Sequence, residues 1–282
     1  MKKKPNSKKT KYKKWIKLVL LTIIILLFYT LSTNILNILK WNKDNKNTDD
    51  IIKKINNIIE NNIIEIEDNE NTKNINEPTN NTQNDYWYYI TFPLINVNFN
   101  ELIKINSDTI AWININNTNI NYPIVQTTNN EYYLTHSFNK EPNEAGWVFL
   151  DYRNTNNLND KNNIIYAHSR LDKTMFGSLS KVLKNSWYTN KSNHIIRIST
   201  PIENTLWQIF SVYTIAEETY YIKTNFKDNN EYLTFLNTIK SRSKYDFNTI
   251  LNENDHIITL STCYSDTKRT VVHAKLIKKS TK

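Results

Sequence analysis

The stretch "IITLSTCYSDTKRTVVHAKL", Ile257 to Leu276, holds the single cysteine of a 282-residue chain. Its alternating pattern is that of a strand, in which Ile258, Leu260 and Thr262 take one face while Ile257, Thr259, Ser261 and Cys263 take the other. A thiol that shares its face with two hydroxyls suits the floor of a polar cleft better than an apolar core. Five residues, "YSDTK", then lead to a second strand that opens with Arg269. Folded as a hairpin, the two strands bring Cys263 and Arg269 across from each other at its mouth. A guanidinium there favours the thiolate and offers a fixed donor fork to a developing oxyanion. The plainer alternative is an inert buried thiol and a surface arginine that never meet.

A thiol nucleophile works with an imidazole that exchanges protons with it and with the leaving group. Of the five histidines, His136 falls in a loop, His194 and His256 at strand starts, and His273 inside the last strand. His168 ends "NNIIYAHSR", where an apolar strand runs into polar residues, a place from which a side chain is rigidly presented. His273 competes with it, because alternation from Arg269 puts both on the same face. Cys263, His273 and an acid have no recognised zinc-ligand spacing, so no metal is expected. Gly146 and Gly177 are the only glycines, which rules out a phosphate-cradling glycine loop; no cofactor is expected.

The environment of that thiol depends on the other end of the chain. Lys and Arg number 36 against 27 Asp and Glu, a net charge of +9. Nine lysines and no acid lie in residues 1–17, which leaves 27 basic and 27 acidic residues from Leu18 onward. The basic charge therefore belongs to a tail and not to a folded surface, and no nucleic-acid partner is expected. Leu18 to Leu39 is a run of 22 residues without formal charge. As a helix it spans about 33 Å, enough for a hydrocarbon core of about 30 Å. No small-residue cleavage pattern follows it, which favours an uncleaved transmembrane anchor at residues 18–39. The positive-inside rule keeps residues 1–17 in the cytoplasm and puts everything after Trp41 outside the cell. An exported chain with one cysteine pairs it between molecules or leaves it as a reactive thiol.

Residues 40–85 form an Asn-rich extracellular stalk. Asp49 to Asp68 has the period of an amphipathic helix, and Asn69 to Asp85 the composition of a disordered tether. From Tyr86 onward the composition changes, and residues 86–282 suffice for one domain with its own core. Eight strand-like runs follow: "AWININ", "NYPIVQ", "GWVFLD", "NIIYAH", "HIIRIS", "LWQIFSVYTIA", "HIITLSTC" and "TVVHAKLI". "MFGSLSKVL" reads as a short helix and Asn229 to Ser243 as a longer one, with Tyr232, Phe235, Leu236 and Ile239 on one face. The fold class is mostly β with inserted helices, a barrel or a sandwich.

"TLSTC" followed by Arg269, with "IIYAHS" upstream, resembles the signature of the sortases, membrane-anchored cysteine transpeptidases of Gram-positive bacteria. The likeness runs from about Phe99 to Ile277 and includes "YYLTHSF", "GWVFLDYRN" and "YAHSRLDKTMFGSL". The insertion "NNEYLTFLNTIKSRSKYD" is similar to that of class B members. The resemblance implies a closed eight-stranded β-barrel and a catalytic trio of His168, Cys263 and Arg269. Cys263 then attacks the carbonyl after Thr in a C-terminal sorting signal of the Asn-Pro-x-Thr kind. A peptidoglycan-precursor amine resolves the thioester and joins a surface protein to the wall. Ser261 and Tyr166 match positions that line the class B groove, and Asn130 falls where some members contact substrate. Tyr264 stands beside the groove where some members carry an acid. The gap between Cys263 and Arg269 is shorter than in several class B enzymes; with Tyr264 it bears on the substrate motif. The alternatives are a pilin-polymerising or mainly hydrolytic sortase, and a catalytically silent membrane-tethered binding module.

Overall fold

Each of the eight strand-like runs supplies alternate apolar side chains, and such strands bury one face only by closing on one another. The structure, a computed structural model, describes residues 7–59, 63–77, 85–216, 218–265 and 267–282, with side chains described except at 7–11 and 263–265. Its first element, helix α1 (Ser7–Ile59), belongs in part to a unit of residues 1–47 and in part to a second unit of residues 48–282. In the first unit, Leu18 to Leu39 expose large apolar side chains such as Leu27 and Phe28. It is the one helix among the described residues long and apolar enough to cross a membrane.

The second unit begins with the end of α1, whose Ile55 and Ile59 are buried in the main core. In chain order come β1 (Ile63–Ile66), β2 (Thr72–Asn74), α2 (Tyr86–Tyr89), β3 (Leu94–Val97) and α3 (Asn100–Ile105). Then come β4 (Thr109–Ile115), β5 (Asn121–Val125), β6 (Phe149–Leu150), β7 (Asn162–Tyr166) and α4 (Asn185–Tyr188). The chain ends with β8 (Ile195–Ser199), β9 (Glu203–Ala216), α5 (Asn229–Ser241), β10 (Ile257–Ser265) and β11 (Lys268–Thr281).

The strands β10, β7, β6, β5, β4, β8, β9 and β11 are neighbours in that order, and pairing of β10 with β11 closes the eight-stranded barrel. Two of its pairings, β5 with β6 and β7 with β10, are parallel; the other barrel pairings are antiparallel. Trp112, Ile113, Ile165, Ile258, Leu260 and Val272 belong to the main core. On the opposite face of β9, β10 and β11, α5 lays Tyr232, Phe235, Leu236 and Ile239 over Phe210, Tyr213, Ile257 and Val271. The Asp228 side chain caps this helix by accepting from the Glu231 N–H.

The expected stalk differs from what the fold shows in its described parts. The helix read over Asp49–Asp68 ends at Ile59, and Ile63–Ile66 pairs antiparallel with β3. Inside the expected tether, β2 pairs with Lys278–Ser280 of β11. The reason is an open edge: β11 runs past the end of β10, whose last partner is Lys275, and the polar β2 covers the backbone groups left beyond it. Residues 78–84 lie outside the described residues.

Candidate active site

Register places the expected reacting residues before any side chain is considered. β7 and β10 run parallel with Tyr166 opposite Ser261. Two residues further along each chain stand His168 and Cys263. On the other side of β10, the antiparallel partner of Cys263 is Arg269. The segment that bears the cysteine is thus flanked by the strand leading to His168 and the strand opening at Arg269. The side chains of Cys263 and Tyr264 lie outside the described residues.

At this end of the barrel a groove of about 420 Å³ is lined by Asn130, Tyr166, His168, Ser261 and Arg269. Leu134, Glu218, Thr219, Tyr221 and Ile222 also line it. Every expected site residue with a described side chain therefore meets in one depression. His273 does not. It is fully buried beneath the α5 layer, where Nε2 meets the Tyr213 hydroxyl at 2.8 Å and Nδ1 the Thr259 hydroxyl at 2.9 Å. Shared strand parity with Arg269 was a poor guide, because four residues along a strand are about 13 Å. Burial pushes the His273 imidazole down to about 3, so it is neutral in the fold. His194 is buried too, between the Tyr89 hydroxyl and the Tyr188 carbonyl, and burial lowers it as well.

His168 is held by its backbone surroundings. Its Nε2–H donates to the Leu134 carbonyl at 2.8 Å, which leaves Nδ1 as the second ring nitrogen. A Cβ added at Gly146 would come within 2.9 Å of the imidazole Cδ2 and 2.5 Å of the Tyr133 carbonyl. Gly146 also has φ +60°, which an L side chain rarely adopts. Asn130 accepts from the Tyr152 N–H at 2.9 Å, which fixes its amide at the groove edge.

Tyr166 donates its hydroxyl to the Asp151 carboxylate at 3.0 Å. Asp151 is fully buried and receives Arg153 Nε at 2.8 Å and Nη2 at 2.7 Å. Burial pushes the Asp151 carboxyl up, but the Arg153 guanidinium and backbone N–H outweigh it and hold it below the usual range. Burial and that carboxylate together push the Tyr166 phenol well above its ordinary value, so the phenol stays protonated as a donor. Arg153 Nη2 also donates to the carbonyl of Ile222, a groove-lining residue, at 3.0 Å, which ties the loop after β6 to the groove. Reading the sequence singled out neither Asp151 and Arg153 nor Tyr221 and Ile222. "FLDYRN" held the ion pair in plain view, but nothing local says that the two close on each other. Gly146 carried a signal that was missed, being one of only two glycines in the chain.

Comparison with known proteins agrees with this geometry. A sequence model described as "Sortase domain" matches residues 113–277. Sortase B of Listeria monocytogenes is 37% identical over 183 residues, which cover 64% of this chain and 74% of that protein. Sortase B of Staphylococcus aureus is 39% identical over 187 residues, covering 64% and 75%. The solved Staphylococcus aureus sortase B–substrate complex superposes with a TM-score of 0.60 at 38% identity, over 64% of this chain and 84% of that one. With the barrel, the groove and these likenesses in agreement, the chain belongs to the sortase family of cysteine transpeptidases, among its class B members.

Proposed function

We propose that His168, Cys263 and Arg269 are the catalytic trio and that the groove takes a sorting signal of the Asn-Pro-x-Thr kind, cleaved after its threonine. One observation carries the reading: β10 brings position 263 between Arg269, its Cα partner, and the chain that leads from Tyr166 to His168. The Cys263 thiolate attacks the threonyl carbonyl carbon, and the new C–S bond turns the carbonyl oxygen into an oxyanion. Arg269 donates to that oxygen with its planar fork. Collapse breaks the C–N bond, and the departing amine takes a proton from His168. An incoming amine of a peptidoglycan precursor then attacks the thioester and gives its proton back to His168. The C–S bond breaks and the thiolate is restored. Because Nε2–H is taken by the Leu134 carbonyl, Nδ1 is the nitrogen that handles these protons.

Tyr166, Ser261, Asn130 and Tyr264 contact the peptide in this reading, the first three from the groove walls. Residues 18–39 of α1 span the membrane once, with the lysine tail in the cytoplasm and the catalytic unit outside. The partners are surface proteins that end in a sorting signal, and the wall precursor that supplies the amine. Incubation with a panel of sorting-signal peptides, with and without an added amine, tests the reading. Cleavage of the Asn-Pro-x-Thr members with amine-dependent ligation is expected. A chain that cleaves none of them, or cleaves equally well as Cys263→Ala, overturns it.

A further inference from the structure

The face that carries Ser261 continues under α5 as a set of buried polar side chains that the transfer steps do not use. Asn162 Nδ2 donates to the Lys223 carbonyl at 2.9 Å and to the Tyr221 carbonyl at 3.2 Å. That orientation turns Oδ1 toward Thr259, whose hydroxyl donates to it at 2.6 Å. With its only proton used there, Thr259 Oγ1 accepts from His273 Nδ1 at 2.9 Å. His273 Nε2 is then an acceptor, and the Tyr213 hydroxyl donates to it at 2.8 Å. The Tyr213 oxygen in turn accepts from the Tyr220 hydroxyl at 3.1 Å.

Each link forces the direction of the next, and the chain of bonds leaves at Tyr220 and returns at Tyr221 and Lys223. It closes on one turn of 3-10 helix, Tyr220–Ile222. Arg153 holds the Ile222 carbonyl, so three successive carbonyls, those of Tyr221, Ile222 and Lys223, are taken by two side chains. The same turn presents Tyr221 and Ile222 to the groove, and the Tyr221 hydroxyl lies 2.9 Å from Ser261 Oγ. Asn162, Thr259 and His273 themselves are fully buried and do not line it.

We propose that Asn162, Thr259 and His273 are positioning residues for peptide binding, which fix the Tyr220–Ile222 groove wall through a hydrogen-bond circuit closed on Tyr220. The proposal rests on reading the groove as the sorting-signal site. A satisfied buried network of this kind specifies one backbone arrangement, and a half-satisfied one lets it wander. Loss of the circuit therefore acts on peptide affinity and leaves the chemistry of the thiol alone.

The test uses the full chain in detergent micelles with an Asn-Pro-x-Thr peptide and a triglycine acceptor. Asn162→Ala and His273→Leu are expected to raise the peptide KM by about 10-fold or more, as carbonyls and hydroxyls lose their partners. Alkylation of Cys263 by iodoacetamide keeps its wild-type rate, and amide exchange quickens over residues 219–223. His273→Gln, whose amide both donates and accepts, returns KM toward wild type. Should the core variants fail to fold, Tyr220→Phe decides, since it removes only the outermost donor and is expected to raise KM to a lesser degree. Folded variants with wild-type KM, or with alkylation slowed in step with KM, overturn the proposal. A wild-type chain that turns over no peptide overturns the groove reading instead.

Discussion

His168 packs against Gly146 so closely that a Cβ there would stand 2.9 Å from its ring and 3.0 Å from the Leu134 carbonyl oxygen that holds Nε2. The imidazole proposed as the proton carrier is thus aimed by backbone, and the aim depends on a residue without a side chain. Gly146→Ala adds a methyl at φ +60° and pushes the ring off its acceptor. A fall in kcat of about 100-fold is expected, larger than any loss of melting temperature accounts for. Steady-state kinetics beside a thermal melt separate the two, and a wild-type kcat in the variant would detach Gly146 from the aim of His168.

His168→Ala is expected to lower kcat/KM by about 10²–10⁴-fold, the usual weight of a general acid–base group. Arg269→Lys is expected to be nearly as severe, because an ammonium lacks the fork that meets an oxyanion. Rates with a cleavable peptide check both. Wild-type turnover in Arg269→Lys would reduce Arg269 to a bystander at the hairpin mouth.

Much of this was legible in one sequence. The eight barrel strands announced themselves by alternation and turn residues, and α5 by its stripe of Tyr232, Phe235, Leu236 and Ile239. Cys263 and Arg269 were paired by the length of a hairpin turn, which the register bears out at the backbone. Strands β1 and β2 were hidden for different reasons: the Ile-rich β1 continues the apolar period of the helix before it, and the polar β2 owes its form to the edge that β11 offers. His273 misled for a similar reason: parity names a face, and only the packing of α5 says that the face is dry at that point. The Leu134 carbonyl had no sequence signal at all, since every residue carries one.

Buried neutral His273 makes the fold sensitive to acid. Tyr213, Thr259 and Phe210 face it, and burial holds its folded value at about 3. Unfolded histidine takes up a proton below about pH 6.5, so the contribution is fully present above that pH and is lost as pH falls toward 3. The expected slope from this group is about 1.4 kcal/mol per pH unit, and lowered His194 adds in the same direction. Urea unfolding at pH 7, 5.5 and 4 checks it. His273→Gln should flatten the dependence, and an unchanged slope would remove His273 as its source.

Lys275 and Asp255 form an ion pair buried at both ends, with 3.0 Å between Nζ and Oδ1. The carboxylate also takes Asn76 Nδ2 at 2.7 Å and the Asn252 N–H at 2.7 Å, while Nζ donates to the Ile250 carbonyl. Lys275→Met leaves that carboxylate uncompensated and is expected to cost about 3–5 kcal/mol. Replacing both partners, as Lys275→Met with Asp255→Asn, should cost less than the single change. Denaturant midpoints decide, and a harmless Lys275→Met would show that water reaches the pair.

In the proposed reaction, sulfur at position 263 carries the peptide between donor and acceptor. Mass spectrometry of the chain, quenched in acid during turnover of an Asn-Pro-x-Thr peptide, reads that bond itself. The expected result is an added mass equal to the acyl fragment ending in threonine, mapped to Cys263, cleared by an added amine and absent in Cys263→Ala. Turnover that persists in Cys263→Ala, with no adduct on the native cysteine at any time point, would contradict it.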